Sequence, residues 1–350
     1  LQLVIKCLRV IFMQNKGLFL ILTYQCNLKC KYCYEQVRDK DNIINIHDNI
    51  AKVINIIRSR DDINHITVIG GEAFLYKAEV LYLLDSISDL NKNGRGISVN
   101  FITNGTVYID LSKYKDFIHL QISIDGWKNV QNKYRPFKNG SESYDIVIKN
   151  IKLFFNDGIE MVLHSVVSDY KEWKKTLDKL INDVPSIIPI EVKYVYGKET
   201  NIFQSLGNII NSCKMFILAH KYGIQHKRSE STKVCGAGIR HLTVDLNTAK
   251  LYYCQECVFY QDKSGYEVGE LMPNIFVDPD KFNKIYPHTN IENYRIHFFN
   301  KSISDKIFNH INIDICPFRN KEITGKWNLV PAREIIFSAL NTILKKSFPQ

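Results

Sequence analysis

Nothing at the front of this 350-residue chain reads as a membrane anchor or an export signal. Residues 1–12 are apolar but interrupted by Lys6 and Arg9; they are too short to cross a bilayer and no small-residue cleavage site follows. They are expected to form a first strand or a packed extension over 1–16. The chain does not begin with Met, and Met13 is a candidate start. Also missing are internal repeats, low-complexity tracts, long flexible linkers and any block of five or six like charges. Lys and Arg outnumber Asp and Glu by 46 to 36, a net charge of +10. That excess would suit an acidic partner, but spread along the chain it reads as a solvated surface, and nucleic acid is not expected as a partner.

What is present fits one compact enzyme with an appended module, since 350 residues exceed the size at which a single core stops growing and 45% of them are hydrophobic. The nine cysteines are not expected to form a disulfide framework, because an enzyme of this length rarely needs staples and Cys-x2-Cys spacing favours metal; reducing cytoplasm is the expected compartment. Strand-like runs at 17–24, 65–69, 97–103, 119–124, 161–167 and 190–196 alternate with helix-length segments of three-and-four apolar spacing. One helix is expected from an N-cap at Ser143 through Val147, Ile148, Ile151, Phe154 and Phe155, all core, to a stop at Gly158. Six strand-helix units with right-handed crossovers predict an α/β fold in which a parallel sheet winds into an open part of a barrel, with the active site at the strand C-terminal ends.

Cys26, Cys30 and Cys33 stand in the run Cys-Asn-Leu-Lys-Cys-Lys-Tyr-Cys-Tyr, directly after the first strand-like segment. A closed electron-transfer cluster normally takes four cysteines, whereas three thiolates fill three corners of a four-iron, four-sulfur cube and leave one iron open to a second molecule. A structural zinc site or three buried core cysteines would use the same residues. Position favours the cluster, because the triplet sits on a loop after a strand, where strand-helix enzymes keep their chemistry.

With an aromatic residue before its last cysteine, this run resembles the signature of the radical S-adenosylmethionine (radical SAM) enzymes. The resemblance covers approximately 18–196 and implies a partial (β/α)6 barrel. It also implies a [4Fe-4S] cluster whose open iron is chelated by the methionine amino and carboxylate groups of S-adenosyl-L-methionine. One electron, from a donor such as flavodoxin or ferredoxin, then yields a 5'-deoxyadenosyl radical that takes hydrogen from substrate. Gly70-Gly71-Glu72 resembles the family's Gly-Gly-Glu motif, with Ala73 where proline is usual, and would contact the methionine amino group. Thr103-Asn104-Gly105 and Ser123-Ile124-Asp125-Gly126 match further strand-end motifs. Ser123 and Arg135 would bind the methionine carboxylate, a task that suits the bidentate fork of arginine. Asn104 and Asp125 are carried as cofactor contacts, although turn chemistry uses the same residues. Tyr34 is a further cofactor or pocket residue, and Trp127 and His164 are pocket candidates.

The stretch 122–152, with Asp-Gly, then Tyr-Arg and Phe-Lys-Asn-Gly before a helix, is most similar to the subgroup that modifies peptides and proteins. That subgroup usually carries a C-terminal cysteine-rich module called SPASM or, when shorter, twitch. Here Cys235-Gly-Ala-Gly precedes a hairpin pattern over 242–246 and 250–253, followed by Cys254-Gln-Glu-Cys257 and later Cys316-Pro317. The resemblance implies one auxiliary iron-sulfur cluster on Cys235, Cys254, Cys257 and Cys316, a reduced set beside the seven cysteines of a full module. Ala249 stands where a glycine is usual. Cys213 and His241 are substitute ligands, and a four-cysteine zinc site is the alternative. The expected organisation is an extension (1–16), a barrel (17–198), a helical link (199–232), the module (233–320) and a C-terminal amphipathic helix (321–350).

The function implied is oxidation or cross-linking of a ribosomally made precursor peptide. Only 25 residues precede Cys26, so leader recognition would need a separate protein or a surface of the barrel. In sulfatase-maturing relatives an aspartate follows the module's cysteine as a base. Gln255 stands there, and an amide takes no proton at neutral pH unless Glu256 supplies the carboxylate. A dehydrogenase or epimerase of a small molecule, and a non-enzymatic metal or electron-transfer protein, are the competing readings.

Overall fold

The computed structural model describes residues 17–33, 45–167, 170–194, 214, 218, 241–252, 254–258, 267–271, 275–277, 295–296 and 329–330. The chain divides into two compact units, Leu1–Pro189 with Ala237–Phe282, and Ile190–Gly236 with Asn283–Gln350.

The first unit is built on parallel strands β1 (Gly17–Ile21), β2 (His65–Ile69), β3 (Ser98–Thr103), β4 (Ile118–Ser123) and β5 (Glu160–Val167), laid side by side in chain order. Between them run helices α1 (Ile46–Ser59), α2 (Lys77–Lys92), α3 (Lys128–Tyr134) and α4 (Tyr144–Asn156), with α5 (Tyr170–Asp183) after β5. The strand order and the helical crossovers agree with the expected α/β fold and its mostly parallel sheet. β6 (Ile190–Tyr194) opens the second unit, in which Arg295–Ile296 pairs in parallel with Leu329–Val330. No described helix is long and apolar enough to cross a membrane.

Alternation along the strands gives the sheet two unlike faces. Leu18, Leu20, Ile66, Val68, Val99, Phe101, Ile118, Leu120 and Ile122 are all buried. They line the helix-covered face, where the Phe101 ring lies 5.4 Å from Phe74 and Phe74 lies 6.1 Å from Phe154 of α4. The other face carries Asn100, His119, Gln121 and Ser123 at the alternate positions of β3 and β4.

Helix α4 departs from expectation at two positions. Val147, Ile148, Ile151 and Phe154 are core, but Phe155 is 39% exposed, because it falls outside the stripe that the other four form. Ser143 precedes the helix, yet its hydroxyl donates to the Arg135 carbonyl at 2.7 Å. The capping acceptor is Asn132 Oδ1, which takes the N–H groups of Ser143 (3.1 Å) and Tyr144 (2.9 Å). The C-terminus closes as expected: Gly158 has φ 75°, with Gly158 N–H on Phe155 O and Ile159 N–H on Phe154 O.

The hairpin expected within the C-terminal module is β7 (His241–Asp245) and β8 (Lys250–Tyr252), and it joins the barrel sheet directly. β7 runs parallel to β1, with Gly17 opposite His241 and Ile21 opposite Asp245. β8, β9 (Glu267–Leu271) and β10 (Ile275–Val277) then continue the sheet in antiparallel fashion. The β7–β8 turn is fixed by the buried Asp245 carboxylate, which accepts from Asn247 N (3.0 Å), Thr248 Oγ1 (2.8 Å) and the Tyr24 hydroxyl. Ala249 closes this turn at φ 57°, a left-handed conformation that costs an L-residue with a Cβ about 1–2 kcal/mol. Ala249→Gly is expected to stabilise the metal-free protein by about 0.5–1 kcal/mol in denaturant unfolding, the relief of strain exceeding the added backbone entropy of glycine.

Candidate active site at the strand ends

After Leu22 N–H donates to Ile69 O, the chain leaves β1 and enters an irregular loop through Cys26, Cys30 and Cys33. Its shape is set by neighbouring segments. From the β2 side, Gly71 N–H donates to Thr23 O (2.8 Å) and Glu72 N–H to Gln25 O (2.7 Å). The approach is so close that a Cβ on Gly71 would sit 2.2 Å from the Gln25 carbonyl oxygen, so glycine is required there.

Glu72 is 1% exposed, and its carboxylate accepts from Phe74 N (3.0 Å), Thr103 Oγ1 (2.8 Å) and Asn104 N (2.6 Å). Burial raises the Glu72 pKa, opposed by the donors from Asn104, Phe74 and Thr103. Glu72, expected as a cofactor contact, is thus committed to locking the β2 loop onto the β3 loop. Asn104 does more than make a turn. Its Oδ1 accepts from Thr106 N and Oγ1, while its Nδ2 donates to Asn27 Oδ1 (2.9 Å) and points at Cys26 Sγ (3.6 Å). Leu28 N–H adds a second donor to Cys26 Sγ at 3.4 Å.

On the β4 side, Asp125 is fully buried and is the hub of a charged cluster. It accepts from Arg135 Nε (2.9 Å), Val166 N (3.2 Å) and the Tyr32 hydroxyl, and its N–H donates to Gln131 Oε1 (2.9 Å). Arg135, expected to take a cofactor carboxylate, pairs with this protein carboxylate, lies 5.3 Å over the Tyr32 ring and directs Nη1 to Cys30 Sγ at 4.0 Å. Burial pushes the Cys30 thiol up to about 12, with the Arg135 charge acting against it. Burial likewise raises Cys26, against the Leu28 N–H. N–H and guanidinium groups are thus directed at both sulfurs, where they would stabilise negative charge.

The loop is also zipped to the segment after α3. Lys29 N–H donates to Pro136 O, Lys31 N–H to Tyr134 O and Lys138 N–H to Asn27 O, with Leu28 bridging Phe137 in antiparallel fashion. Sequence reasoning missed this pairing, and with it Asn27, Thr106 and Gln131. The one signal was Pro136, which biases Arg135 away from helix and starts an extended run.

The other expected residues are distributed as follows. Ser123 ends β4 level with His164 of β5. Trp127, a pocket candidate, points its indole elsewhere: Nε1 donates to Asp183 (3.1 Å), Lys179 Nζ lies 4.2 Å over the ring, and Tyr144 packs edge-on. His241, a substitute ligand, opens β7 and contacts Phe19 at 4.7 Å, at the end of the sheet away from the triplet. Cys254 is a buried thiol just past β8, whose last residue Tyr252 pairs with Thr243 of β7. Tyr34, Cys213, Cys235 and Cys316, the side chains of Glu256 and Cys257, and the N- and C-terminal segments lie outside the described residues. Among the described residues no three His, Cys, Asp or Glu side chains close on a single-ion site.

Three thiols on a strand-end loop, ringed by Gly-Gly-Glu, Thr-Asn-Gly and Ser-Ile-Asp-Gly, direct the comparison with known proteins. Residues 20–181 match the Radical SAM superfamily. Among curated relatives, radical SAM cyclopropyl synthase TigE of Paramaledivibacter caminithermalis is 25% identical over 49% of this chain and 38% of its own length. The cysteine-type anaerobic sulfatase-maturating enzyme of Clostridium novyi is 26% identical over 47% of this chain and 49% of its own. An uncharacterised protein of Methanocaldococcus jannaschii is 28% identical over 51% of this chain and 61% of its own. The matched stretch thus spans about half the length of these relatives.

Among solved structures, native anSMEcpe with bound AdoMet superposes at TM-score 0.70 with 15% identity, covering 95% of this chain and 97% of that one. SuiB of Streptococcus suis bound to S-adenosylmethionine gives TM-score 0.51 at 16% identity over 73% and 64%. At these identities the likeness is one of fold. The matched segment 20–181 ends within α5, and the charged cluster under the cysteine loop is open to direct test. Arg135→Ala strands Asp125 as an unpaired buried charge and is expected to destabilise the metal-free protein by about 3–5 kcal/mol in denaturant unfolding. Asp125→Asn combined with Arg135→Ala should cost less than the sum of the two single changes. Strict additivity would mean the pair does not form.

Proposed function

We propose that this chain is a radical SAM enzyme that modifies a ribosomally made peptide. The observation that carries the reading is the cysteine loop itself. Half-buried Cys26 and buried Cys30 receive N–H or guanidinium donors from Leu28, Asn104 and Arg135, the environment that holds an iron-sulfur cluster's negative sulfurs and tunes its potential. Cys26, Cys30 and Cys33 would hold a [4Fe-4S] cluster with one open iron, and Ser123 would face the S-adenosylmethionine it binds. With both bound, the site supplies a 5'-deoxyadenosyl radical for hydrogen abstraction. The chain's own part is to fix the loop, through Glu72 and Asn104 on one side and Asp125, Tyr32 and Arg135 on the other, and to exclude water from the sulfurs.

A peptide substrate is supported by the company the segment keeps: solved relatives of this fold were captured with a Kp18Cys peptide and with precursor peptide SuiA. Cys235, Cys254, Cys257 and Cys316 would hold one auxiliary cluster. Gln255 lacks the proton-accepting carboxylate of the sulfatase-type chemistry, which favours cross-linking over formylglycine formation. A leader-recognition protein or a surface of the barrel, and a flavodoxin or ferredoxin as electron donor, would complete the system.

The test is anaerobic reconstitution with iron and sulfide, followed by assay for 5'-deoxyadenosine with dithionite and S-adenosylmethionine. About eight irons per chain, falling to about four in Cys26→Ala with complete loss of 5'-deoxyadenosine, is the expected result. Bound zinc, or iron without cofactor cleavage, would leave a metal-binding protein and end the enzyme reading.

A further inference from the structure

Parallel strands buried on both faces read as continuous apolar runs. β4 does not: Ile118, Leu120 and Ile122 are buried among the helices, whereas His119, Gln121 and Ser123 alternate with them on the opposite face. Ile122 and Val147 of α4 both lie within van der Waals reach of a Cβ at Gly105, which fixes the helix-covered side. β3 has the same division, with Val99 and Phe101 buried and Asn100 on the other face. In register, Asn100 stands beside Thr67 of β2 and His119 of β4, and Gln121 stands between Ile102 of β3 and Val162 of β5.

The polar groups around them are largely spoken for. His119 Nδ1 pairs with Glu160 at 3.1 Å, and His65 is held by Ser98 (2.8 Å) and Thr67 (3.2 Å). Asn100 and Gln121 are different: both are half-buried, and neither carboxamide has a hydrogen-bond partner among the described residues. Half-buried amides with unmet donors and acceptors on this polar face are open to pairing with a polar ligand. They lie one row apart along the strands, about 7 Å. Along the strands they fall below the cysteine-loop end of the sheet, in the rows of Thr67 and Ile102.

We propose that Asn100 and Gln121 bind the main chain of the peptide substrate, each carboxamide donating to one peptide carbonyl and accepting from one peptide N–H. A carboxamide matches a peptide group in both respects, so such a site holds an extended backbone in the lumen without reading its side chains. This assignment rests on the peptide reading above, and its specific content is that these two amides form the floor on which the substrate lies.

The probe is acetyl-tetraglycine amide, followed by saturation-transfer NMR on the iron-reconstituted full chain with excess S-adenosylmethionine. Acetyl-tetrasarcosine amide, which lacks the backbone N–H groups, is the control. Wild type should bind the glycine probe and discriminate against the sarcosine one. Gln121→Leu and Asn100→Leu should each weaken glycine-probe binding about fivefold or more. Gln121→Glu, nearly isosteric and without the N–H donor, should weaken it in the same direction and keeps the test intact should a leucine variant fold poorly. Variants that bind like wild type, or equal binding of the two probes, overturn the proposal. Formation of 5'-deoxyadenosine by wild type is read in parallel. Cleavage without glycine-probe binding sinks the lumen assignment alone, whereas absence of cleavage sinks the enzyme reading.

Discussion

At Gly71 two backbones come together more closely than any side chain permits, with the Gln25 carbonyl 2.2 Å from where a Cβ would stand. The rest of the site depends on that contact. It lets Gly71 and Glu72 donate to Thr23 and Gln25 and so holds the chain where it turns from β1 into the cysteine loop. It also carries the Glu72 carboxylate to the end of β3, where three donors meet it. A loop with no ladder of its own must have its backbone groups satisfied by neighbours, and here those are the end of β2 and the segment from Tyr134 to Lys138, while the ends of β3 and β4 hold the loop through side chains. The motifs are thus mutual supports, each holding the cysteine loop from a different side.

Much of the fold was legible in the sequence because the strands are short apolar runs separated by helices with clear stops. His65–Ile69 came out to the residue, and Gly158 ended its helix as expected. Misreadings arose where tertiary partners overrode local pattern. Ser143 has the right identity and place for a cap but lends its hydroxyl to Arg135, leaving the cap to Asn132, eleven residues upstream of Ser143. Trp127 has the look of a pocket aromatic, yet Asp183 and Lys179 hold it against α5.

The site was legible as motifs, and the fold adds which of their side chains meet. Asp125 and Asn104 read as cofactor contacts with turn chemistry as the alternative, and only the fold reveals that they face Arg135 and Cys26. Arg135 read as a ligand for an external carboxylate, and the carboxylate it holds is Asp125 of its own chain. The two-faced character of β3 and β4 was present in the alternation of Asn100, His119 and Gln121. It acquires meaning only once the helices are known to cover the opposite face. Joining β7 to β1 makes the β7–β8 hairpin an extension of the parallel sheet.

The central claim is that the loop of Cys26, Cys30 and Cys33 holds a cluster whose free iron binds S-adenosylmethionine. The most direct measurement is electron-nuclear double resonance on the reduced, reconstituted protein with S-adenosylmethionine carrying 15N in its methionine amino group. The account predicts hyperfine coupling of that nitrogen to the cluster, abolished in Cys26→Ala. A cluster signal with no nitrogen coupling would contradict it.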